Sequence, residues 1–186
     1  PRVEDLGLEA AGVRVEEAGI VVDERCRAAG GVWAVGDVTG VAPFTHVASY
    51  QGRVAAADML GRPSRADYRA VPRVVFADPE IAQVGRSPEQ AEEDGVDVVS
   101  GHADLGDAAR SETFGRSLHG GLRVHADRER RVLVGATAVG PLASEWIGVL
   151  GLAVKAEVPV EVLLDTMFQF PTFSELVLSA VRALDL

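Results

Sequence analysis

Gly31-Val-Trp-Ala-Val-Gly-Asp37 is the most informative segment of this sequence. Its apolar residues, Val32 to Val35, predict a buried strand that ends at Gly36 and Asp37. Ligands bind at the carboxyl ends of the strands in an open α/β sheet, so this position would bring the Asp37 carboxylate to a crevice edge. Glycine lets a ligand approach the backbone closely, and a carboxylate accepts hydrogen bonds from ligand hydroxyls. A plain turn is the alternative, since Gly-Asp is common in turns.

A strand precedes this segment and a helix follows it. Gly19-Ile-Val-Val-Asp23 predicts the short strand, and apolar spacing predicts a helix over His46–Leu60 with Gly61 as its stop. The polar stretch Gly61–Asp67 contains breakers and predicts a domain boundary. We therefore expect one domain in residues 1–66 and another in residues 67–186.

The second domain has strands and helices segregated along the chain, which predicts an α+β fold. Ser87-Pro-Glu-Gln90 has the pattern of a capping box and predicts the start of a short helix that Gly95 ends. We expect a last helix to begin at Thr172 or Ser174. The other predicted elements are strands Val71–Ala77, Ile81–Val84 and Val96–Ser100, a hairpin of Leu122–Ala126 with Val132–Val139, and a helix over Ala143–Ala156.

Composition excludes several classes of function. The 186 residues include 28 acidic and 18 basic side chains, and the formal charge of -10 argues against general binding to nucleic acid or anionic membranes. The apolar run Trp146–Val154 is too short to span a bilayer. A single cysteine, Cys26, excludes an internal disulfide and predicts an unreactive small side chain. A reducing, cytoplasmic location fits best.

The histidines do not predict a metal site. His102, His119 and His125 have no metal-ligand spacing with one another or with a carboxylate. We therefore predict surface positions for all three and no bound metal.

Ordered motifs connect the chain to a known family. The segments Gly19–Asp23, Val32–Asp37, Phe44–Ala48 and Gln51-Gly52 occur in the order found at the end of the FAD domain of the pyridine nucleotide–disulfide oxidoreductases. Further segments resemble the interface, or dimerisation, domain of that family: Val74–Gly85, Leu133–Gly140, Ala143–Glu145 and Pro171–Glu175. The resemblance implies the C-terminal piece of an FAD-binding α/β domain, followed by an α+β interface domain with an antiparallel sheet.

The resemblance also implies cofactors and site residues. Asp37, after Gly36, would bind the ribityl chain of FAD. Phe44, Thr45 and His46 would begin the helix whose backbone N–H groups face the flavin pyrimidine, where a helix N-terminus stabilises negative charge. His46 has the alternative of a surface residue in the first turn. The whole protein would be a homodimeric oxidoreductase that uses FAD and NAD(P)H, with a small-molecule electron acceptor that the sequence does not specify.

Two departures from the family pattern matter. The sequence contains neither a Gly-x-Gly-x-x-Gly loop nor a Cys-x-x-x-x-Cys pair, so we expect it to be part of a longer protein and inactive by itself. The residue before Pro171 is Phe170, where the disulfide reductases have their acid–base histidine, and phenylalanine transfers no proton. Glu175 matches the glutamate that orients this histidine and is the candidate catalytic residue. Its alternative role is a capping box with Thr172.

Two functional alternatives remain open at this point. The chain could be a non-catalytic self-association module, or its parent could be a dihydrolipoamide dehydrogenase-like enzyme that uses another proton relay. The apolar stretches Trp146–Leu150 and Leu176–Leu178 predict the surface through which a symmetric dimer would form.

Overall fold

Two units, Pro1–Tyr68 and Arg69–Leu186, make up the chain in the computed structural model, which describes residues 1–114 and 118–186. The first unit contains two small antiparallel hairpins and one long helix. The hairpins are formed by β1 (Val15–Glu16) with β2 (Gly19–Ile20), and by β3 (Arg27–Ala29) with β4 (Val32–Trp33). The helix is α1 (Thr45–Met59).

Helix α1 begins and ends within one residue of the predicted bounds. Leu60 follows its last turn, and Gly61 has a φ of +67°, the left-handed conformation with which glycine commonly ends helices. Of the apolar residues whose spacing predicts this helix, Val47 and Val54 are buried, and Tyr50 and Ala57 are half-buried. The prediction of this helix is confirmed.

The strands of the first unit are shorter than predicted. Only Gly19 and Ile20 of the segment Gly19–Asp23 pair as a strand, because the Asp23 carboxylate accepts hydrogen bonds from the N–H groups of Arg25 and Arg27, at 2.8 and 2.9 Å, and turns the chain. The predicted buried strand over residues 32–35 is also wrong in length and burial. Val35 is 39% exposed, and β3 is the only strand that pairs with β4 among the described residues.

The second unit is built on a five-stranded antiparallel sheet with the order β5-β6-β9-β8-β7. Each pair of neighbouring strands is antiparallel, which confirms the predicted α+β class. The strands are β5 (Arg73–Val75), β6 (Glu80–Gly85), β7 (Val98–Asp104), β8 (Gly121–Asp127) and β9 (Val132–Gly140). The helices are α2 (Pro88–Glu93), α3 (Ala143–Trp146), α4 (Gly148–Lys155), α5 (Val160–Leu164) and α6 (Glu175–Arg182).

The hydrophobic core of the second unit lies between one face of this sheet and the helices that follow it. Alternate strand residues such as Val84, Leu122 and Val124 point into the core and are fully buried. Helices α4 and α6 supply Leu150 and Val177, which are also fully buried. The inward-facing side chains of the strands and the apolar faces of the helices therefore pack together in one core.

Helix α2 has the predicted capping box. The Ser87 hydroxyl accepts from the Gln90 N–H at 3.2 Å, and the Gln90 side chain accepts from the Ser87 N–H at 3.1 Å. Pro88 occupies the first helical position, where its missing N–H costs no hydrogen bond. Gly95, with a φ of +81°, follows the end of the helix.

The single helix predicted over residues 143–156 is wrong, because Ile147 separates α3 from α4. The N–H of Leu150 bonds to the carbonyl of Ile147, three residues back, at 3.1 Å. This tighter 3₁₀-type bond, beside Gly148 with its low helix propensity, interrupts the regular pattern.

The stretches Trp146–Leu150 and Leu176–Leu178 do not form the apolar surface that the sequence predicts. Trp146, Ile147 and Leu150 are at most 7% exposed, and Leu176 is 1% exposed, because they form the core against the sheet. The exposed large apolar side chains of the second unit lie elsewhere: Val75, Phe76, Ile81, Leu142, Leu152, Val162, Leu164, Met167 and Phe170.

The predicted surface position of His125 is also wrong. His125 is 3% exposed, and its Nδ1 lies 2.8 Å from the hydroxyl of Ser100, its partner across β7 and β8. Burial lowers the pKa of His125, so the neutral imidazole is favoured in the folded chain. The prediction relied on the sequence distance between His125 and other possible metal ligands. That distance does not reveal that His125 and Ser100 lie opposite each other on neighbouring strands.

Substituting Gly101 by alanine should destabilise the second unit. A methyl group at this position in β7 would overlap the backbone carbonyl oxygen of Ala180 in α6. Overpacking of this kind costs about 1–3 kcal/mol in unfolding free energy. Urea unfolding followed by Trp146 fluorescence, in a Trp33→Phe background, measures the loss.

Gly106→Ala is the matched control, because an added methyl group there meets no atom within 4 Å. We expect it to change the unfolding free energy by less than about 0.5 kcal/mol. Equal effects of the two substitutions would show that α6 does not pack closely on β7.

Candidate functional site

The Gly36-Asp37 turn presents an exposed carboxylate from a tightly fixed backbone. Gly36 is buried, with φ +80° and ψ −155°, a conformation that is essentially restricted to glycine. Asp37 begins a 3₁₀ turn over Asp37–Thr39. Its side chain is exposed and makes no hydrogen bond or ion pair within residues 1–114 and 118–186. The carboxylate is therefore available to a ligand.

The side chain of Gln51, from the middle of α1, holds this turn. Gln51 is fully buried, and its Oε1 accepts from the Gly36 N–H at 2.6 Å. Its Nε2 donates to the Thr39 hydroxyl at 3.3 Å and to the Tyr68 hydroxyl at 3.0 Å. The Thr39 hydroxyl in turn donates to the Gly36 carbonyl at 2.8 Å. The sequence analysis used Gln51 only as part of a motif and missed these contacts.

The beginning of α1 carries the other predicted site residues. Phe44 directly precedes the helix and is half-buried, whereas Thr45 and His46, its first two residues, are exposed. The rings of Phe44 and His46 stack with centroids 5.2 Å apart. No side chain caps this end of the helix. The Val47 and Ala48 N–H groups bond to the Phe44 carbonyl, both at 3.0 Å. The dipole of α1 places partial positive charge at this end, which can stabilise negative charge on a ligand.

The far end of α1 is held by a buried carboxylate that the sequence analysis did not single out. Asp58 is 7% exposed and accepts from the Trp33 ring N–H at 2.9 Å and from Arg27 Nη2 at 3.1 Å, with a second, shorter bond from Arg27 Nε. A further guanidinium nitrogen, from Arg25, lies 3.6 Å from the carboxylate. Hydrogen bonding to Arg27 is the main cause that lowers the pKa of Asp58. The cluster attaches α1 to the β3–β4 hairpin.

A pattern in the sequence could have revealed both residues. Gln51 and Asp58 occupy the same face of α1 as Val47, Val54 and Ala55. A polar residue in an otherwise apolar stripe must find a partner when it is buried. That signal predicts a buried polar contact, although it does not identify the partner.

Cys26 packs as the sequence predicts. The residue is fully buried, and burial raises the pKa of its thiol, which disfavours the reactive thiolate. Its thiol forms a hydrogen bond with the Tyr68 hydroxyl. Within the described residues, no group of three His, Cys, Asp or Glu side chains is arranged to hold a metal ion.

The C-terminal segment places Glu175 and Phe170 in the second unit. Glu175 is the first residue of α6, and its Oε2 accepts from the Thr172 N–H at 3.0 Å. The Thr172 hydroxyl donates to the Gln169 carbonyl at 2.6 Å instead of accepting from Glu175, so only half of the predicted capping box forms. The side chain of Phe170 is 75% exposed.

Comparison with family models matches most of the chain. Residues 71–181 match the dimerisation domain of the pyridine nucleotide-disulphide oxidoreductases, and residues 1–52 match a second model of the same family. The chain belongs to this family. The resemblance predicted from the motifs is thus confirmed, and members of the family are FAD-dependent oxidoreductases that use NAD(P)H.

Two named relatives match almost the whole chain. Dihydrolipoyl dehydrogenase of Geobacillus stearothermophilus is 36% identical over 98% of this chain. Dihydrolipoyl dehydrogenase 2 of Haloarcula marismortui is 38% identical over 98% of this chain. The chain spans 39% of the length of each of these two relatives.

Solved structures show the same fold. LpdA from Mycobacterium tuberculosis matches 98% of this chain, and 40% of its own, at a TM-score of 0.89 and 32% identity. The HOCl-induced flavoprotein disulfide reductase RclA from Escherichia coli matches 98% of this chain, and 42% of its own, at a TM-score of 0.84 and 30% identity. Among the helices of the described residues, none has the length and hydropathy needed to cross a membrane.

The contribution of Asp58 to stability should depend on pH. Because the pKa of Asp58 is lowered in the folded chain, its stabilising effect is present above the ordinary aspartate pKa, about 4, and is lost as the pH falls through the folded value. Asp58→Asn should therefore lower the urea midpoint of the first unit at pH 7. The difference from the unsubstituted chain should shrink below about pH 4.

Trp33 fluorescence in a Trp146→Phe background reports on this unit. Glu17→Gln is the control, because it removes an exposed charge that has no ion-pair partner in the described part of the chain. If the effect of Asp58→Asn were the same at pH 7 and pH 3, the ion pair with Arg27 would not be its cause.

Proposed function

We propose that this chain is the C-terminal part of an FAD- and NAD(P)H-dependent oxidoreductase. In this proposal residues 1–66 complete the flavin-binding domain, and residues 67–186 form the interface domain of a homodimer. The observation that carries the proposal is the exposed Asp37 carboxylate, which has no partner among the described residues and follows a glycine whose N–H is hydrogen-bonded to Gln51. The matches of both units to models of one family support it.

The first unit offers groups that fit a flavin. The Asp37 carboxylate can accept hydrogen bonds from ribityl hydroxyls. Gly36 lets the turn lie close to α1, because a Cβ at this position would lie 3.2 Å from the Cβ of Ala48. The uncapped N-terminus of α1, preceded by Phe44 and begun by Thr45 and His46, suits the electron-rich pyrimidine edge. When bound, FAD supplies the hydride and electron chemistry, and these residues bind and orient it.

The C-terminal segment does not offer the proton relay of a disulfide reductase. By the family resemblance Phe170 occupies the position of the acid–base histidine, and its ring can neither donate nor accept a proton. The carboxylate of Glu175 already accepts from the Thr172 N–H, so it serves the start of α6. We therefore propose that the whole enzyme passes electrons from NAD(P)H to an acceptor without histidine assistance.

A second candidate function is dihydrolipoamide dehydrogenase activity with a different proton relay. The names of the curated relatives favour it, since both of those described above are dihydrolipoyl dehydrogenases. The two candidates differ in the rate at which the whole enzyme would turn over a dithiol or disulfide substrate.

Self-association is proposed for the second unit, which matches a dimerisation domain. Its exposed apolar side chains include Leu152, Met167 and Phe170, at 65, 96 and 75% exposure, and a symmetric pair would bury such residues against a second copy. We propose a cytoplasmic homodimer that binds neither nucleic acid nor membranes, consistent with the charge of -10.

Substituting Asp37 by alanine should weaken FAD binding in the full-length enzyme. A hydrogen bond to a charged acceptor contributes about 1.5–3 kcal/mol, so the dissociation constant should rise by about 10- to 100-fold. Flavin titration of the apo-enzyme measures the change.

Glu17→Ala, which removes an exposed carboxylate of the same unit, should leave the affinity unchanged. Equal dissociation constants for Asp37→Ala and the unsubstituted enzyme would remove Asp37 from the site. A full-length protein that purifies as a colourless dimer and binds no flavin would favour the self-association module instead.

Turnover with disulfide substrates tests the role proposed for Phe170. General acid–base assistance is worth about 100- to 10,000-fold in rate, so the full-length enzyme should be a poor reductase of oxidised glutathione and a poor oxidant of dihydrolipoamide. NAD(P)H oxidation by quinones should remain measurable and serves as the internal control for an active flavin. Steady-state turnover with dihydrolipoamide at about 10 per second or more would instead support the second candidate function.

A further inference from the structure

The buried amide of Gln51 contacts residues on both sides of Asp37, the backbone N–H of Gly36 and the side-chain hydroxyl of Thr39. We infer that Gln51 is a positioning residue of the flavin site, which holds the Gly36-Asp37 turn in the conformation that presents Asp37 to the ribityl chain. This inference rests on the proposed role of Asp37 in flavin binding. Gln51 itself lies beneath the turn, fully buried, and acts through the turn rather than on the cofactor.

Both the carbonyl oxygen and the NH2 group of the Gln51 amide form hydrogen bonds with this turn. Oε1 accepts a hydrogen bond at 2.6 Å from the N–H of Gly36, the residue before Asp37. Nε2 donates to the hydroxyl of Thr39, two residues after Asp37, at 3.3 Å. The Thr39 hydroxyl in turn donates to the Gly36 carbonyl at 2.8 Å. One side chain thus determines the relative positions of the two residues that flank Asp37 and Val38.

The conformation of the turn explains why it needs such support. Gly36 adopts φ +80° and ψ −155°, a sparsely populated region in which a backbone persists only when its surroundings fix it. The Gly36 N–H is buried, and Gln51 is the acceptor that satisfies it. Without that acceptor the N–H would have to turn toward water, and the carbonyl and Asp37 would turn with it.

Tyr68 extends the same network to the last residue of the first unit. Its hydroxyl accepts from Gln51 Nε2 at 3.0 Å and is hydrogen-bonded to the buried thiol of Cys26. The ring of Tyr68 also meets that of Tyr50 edge-on, with centroids 6.1 Å apart. These contacts keep the amide of Gln51 in one orientation, with its oxygen toward Gly36.

The experiment measures FAD dissociation constants of the full-length enzyme. Gln51→Met keeps the size of the side chain but removes its donor and acceptor, and we expect about tenfold weaker FAD binding. Gln51→Glu keeps the acceptor for the Gly36 N–H, and burial favours its protonated form, whose O–H can donate to the Thr39 hydroxyl, so the affinity should stay within about threefold below neutral pH. Ala56→Ser, at an exposed position of the same helix, is the control and should have no effect.

A double-mutant cycle with Asp37→Ala separates positioning from a general structural role. If Gln51 acts through Asp37, Gln51→Met should weaken FAD binding by less than about threefold once Asp37 is alanine. An equal loss in both backgrounds would overturn the inference, because it would show that Gln51 affects the site independently of Asp37.

The remaining outcomes keep this inference distinct from the proposed function. If Asp37→Ala leaves FAD affinity unchanged, the proposed role of Asp37 fails and the inference fails with it. If Asp37→Ala weakens binding but Gln51→Met does not, only the inference fails. Should Gln51→Met not fold, Tyr68→Phe replaces it in the cycle, with an expected loss of about threefold that disappears in the Asp37→Ala background.

Discussion

The first unit depends on the hydrogen bonds that α1 makes through polar side chains. Its buried apolar clusters are small, and they include residues as short as Ala34 and Ala55. Gln51 and Asp58 therefore take positions that larger apolar residues would occupy in a conventional core, and each satisfies backbone or side-chain groups of another segment. Buried polar groups must be paired, so these contacts permit few alternative arrangements of the helix.

Local patterns predicted the elements whose signals lie within a few residues of one another. The bounds of α1, the capping box at Ser87 and the hairpin of β8 with β9 follow from spacing, capping and turn chemistry, and each is confirmed. The interruption of the helix at Ile147 was not predicted, since the apolar pattern continues across it. The burial of Trp146 was also missed, because periodicity shows which residues are apolar without showing which surface covers them.

For the candidate site, the motif pattern located the turn but not what supports it. The resemblance directed attention to Asp37 and the start of α1, where the structure indeed places an exposed carboxylate and an uncapped helix end. The partnership of Gln51 with Gly36 joins residues fifteen positions apart, and that of Asp58 with Arg27 joins residues 31 apart. No rule based on neighbouring residues identifies such pairs, although a polar residue on an apolar helix face indicates that one exists.

The two sets of polar contacts that α1 makes respond to different solution conditions. Around the Gly36-Asp37 turn the contacts of Gln51 join neutral groups, its amide with hydroxyls and backbone, so neither salt nor moderate acid weakens these contacts directly. Near the C-terminal end of the helix Asp58 meets guanidinium groups, and this attraction is lost when the carboxylate is protonated. Acid should therefore loosen the β3–β4 hairpin from the helix before it breaks the hydrogen bonds of Gln51. The same helix thus makes neutral contacts with the turn at the candidate cofactor site and an acid-sensitive ion pair away from it.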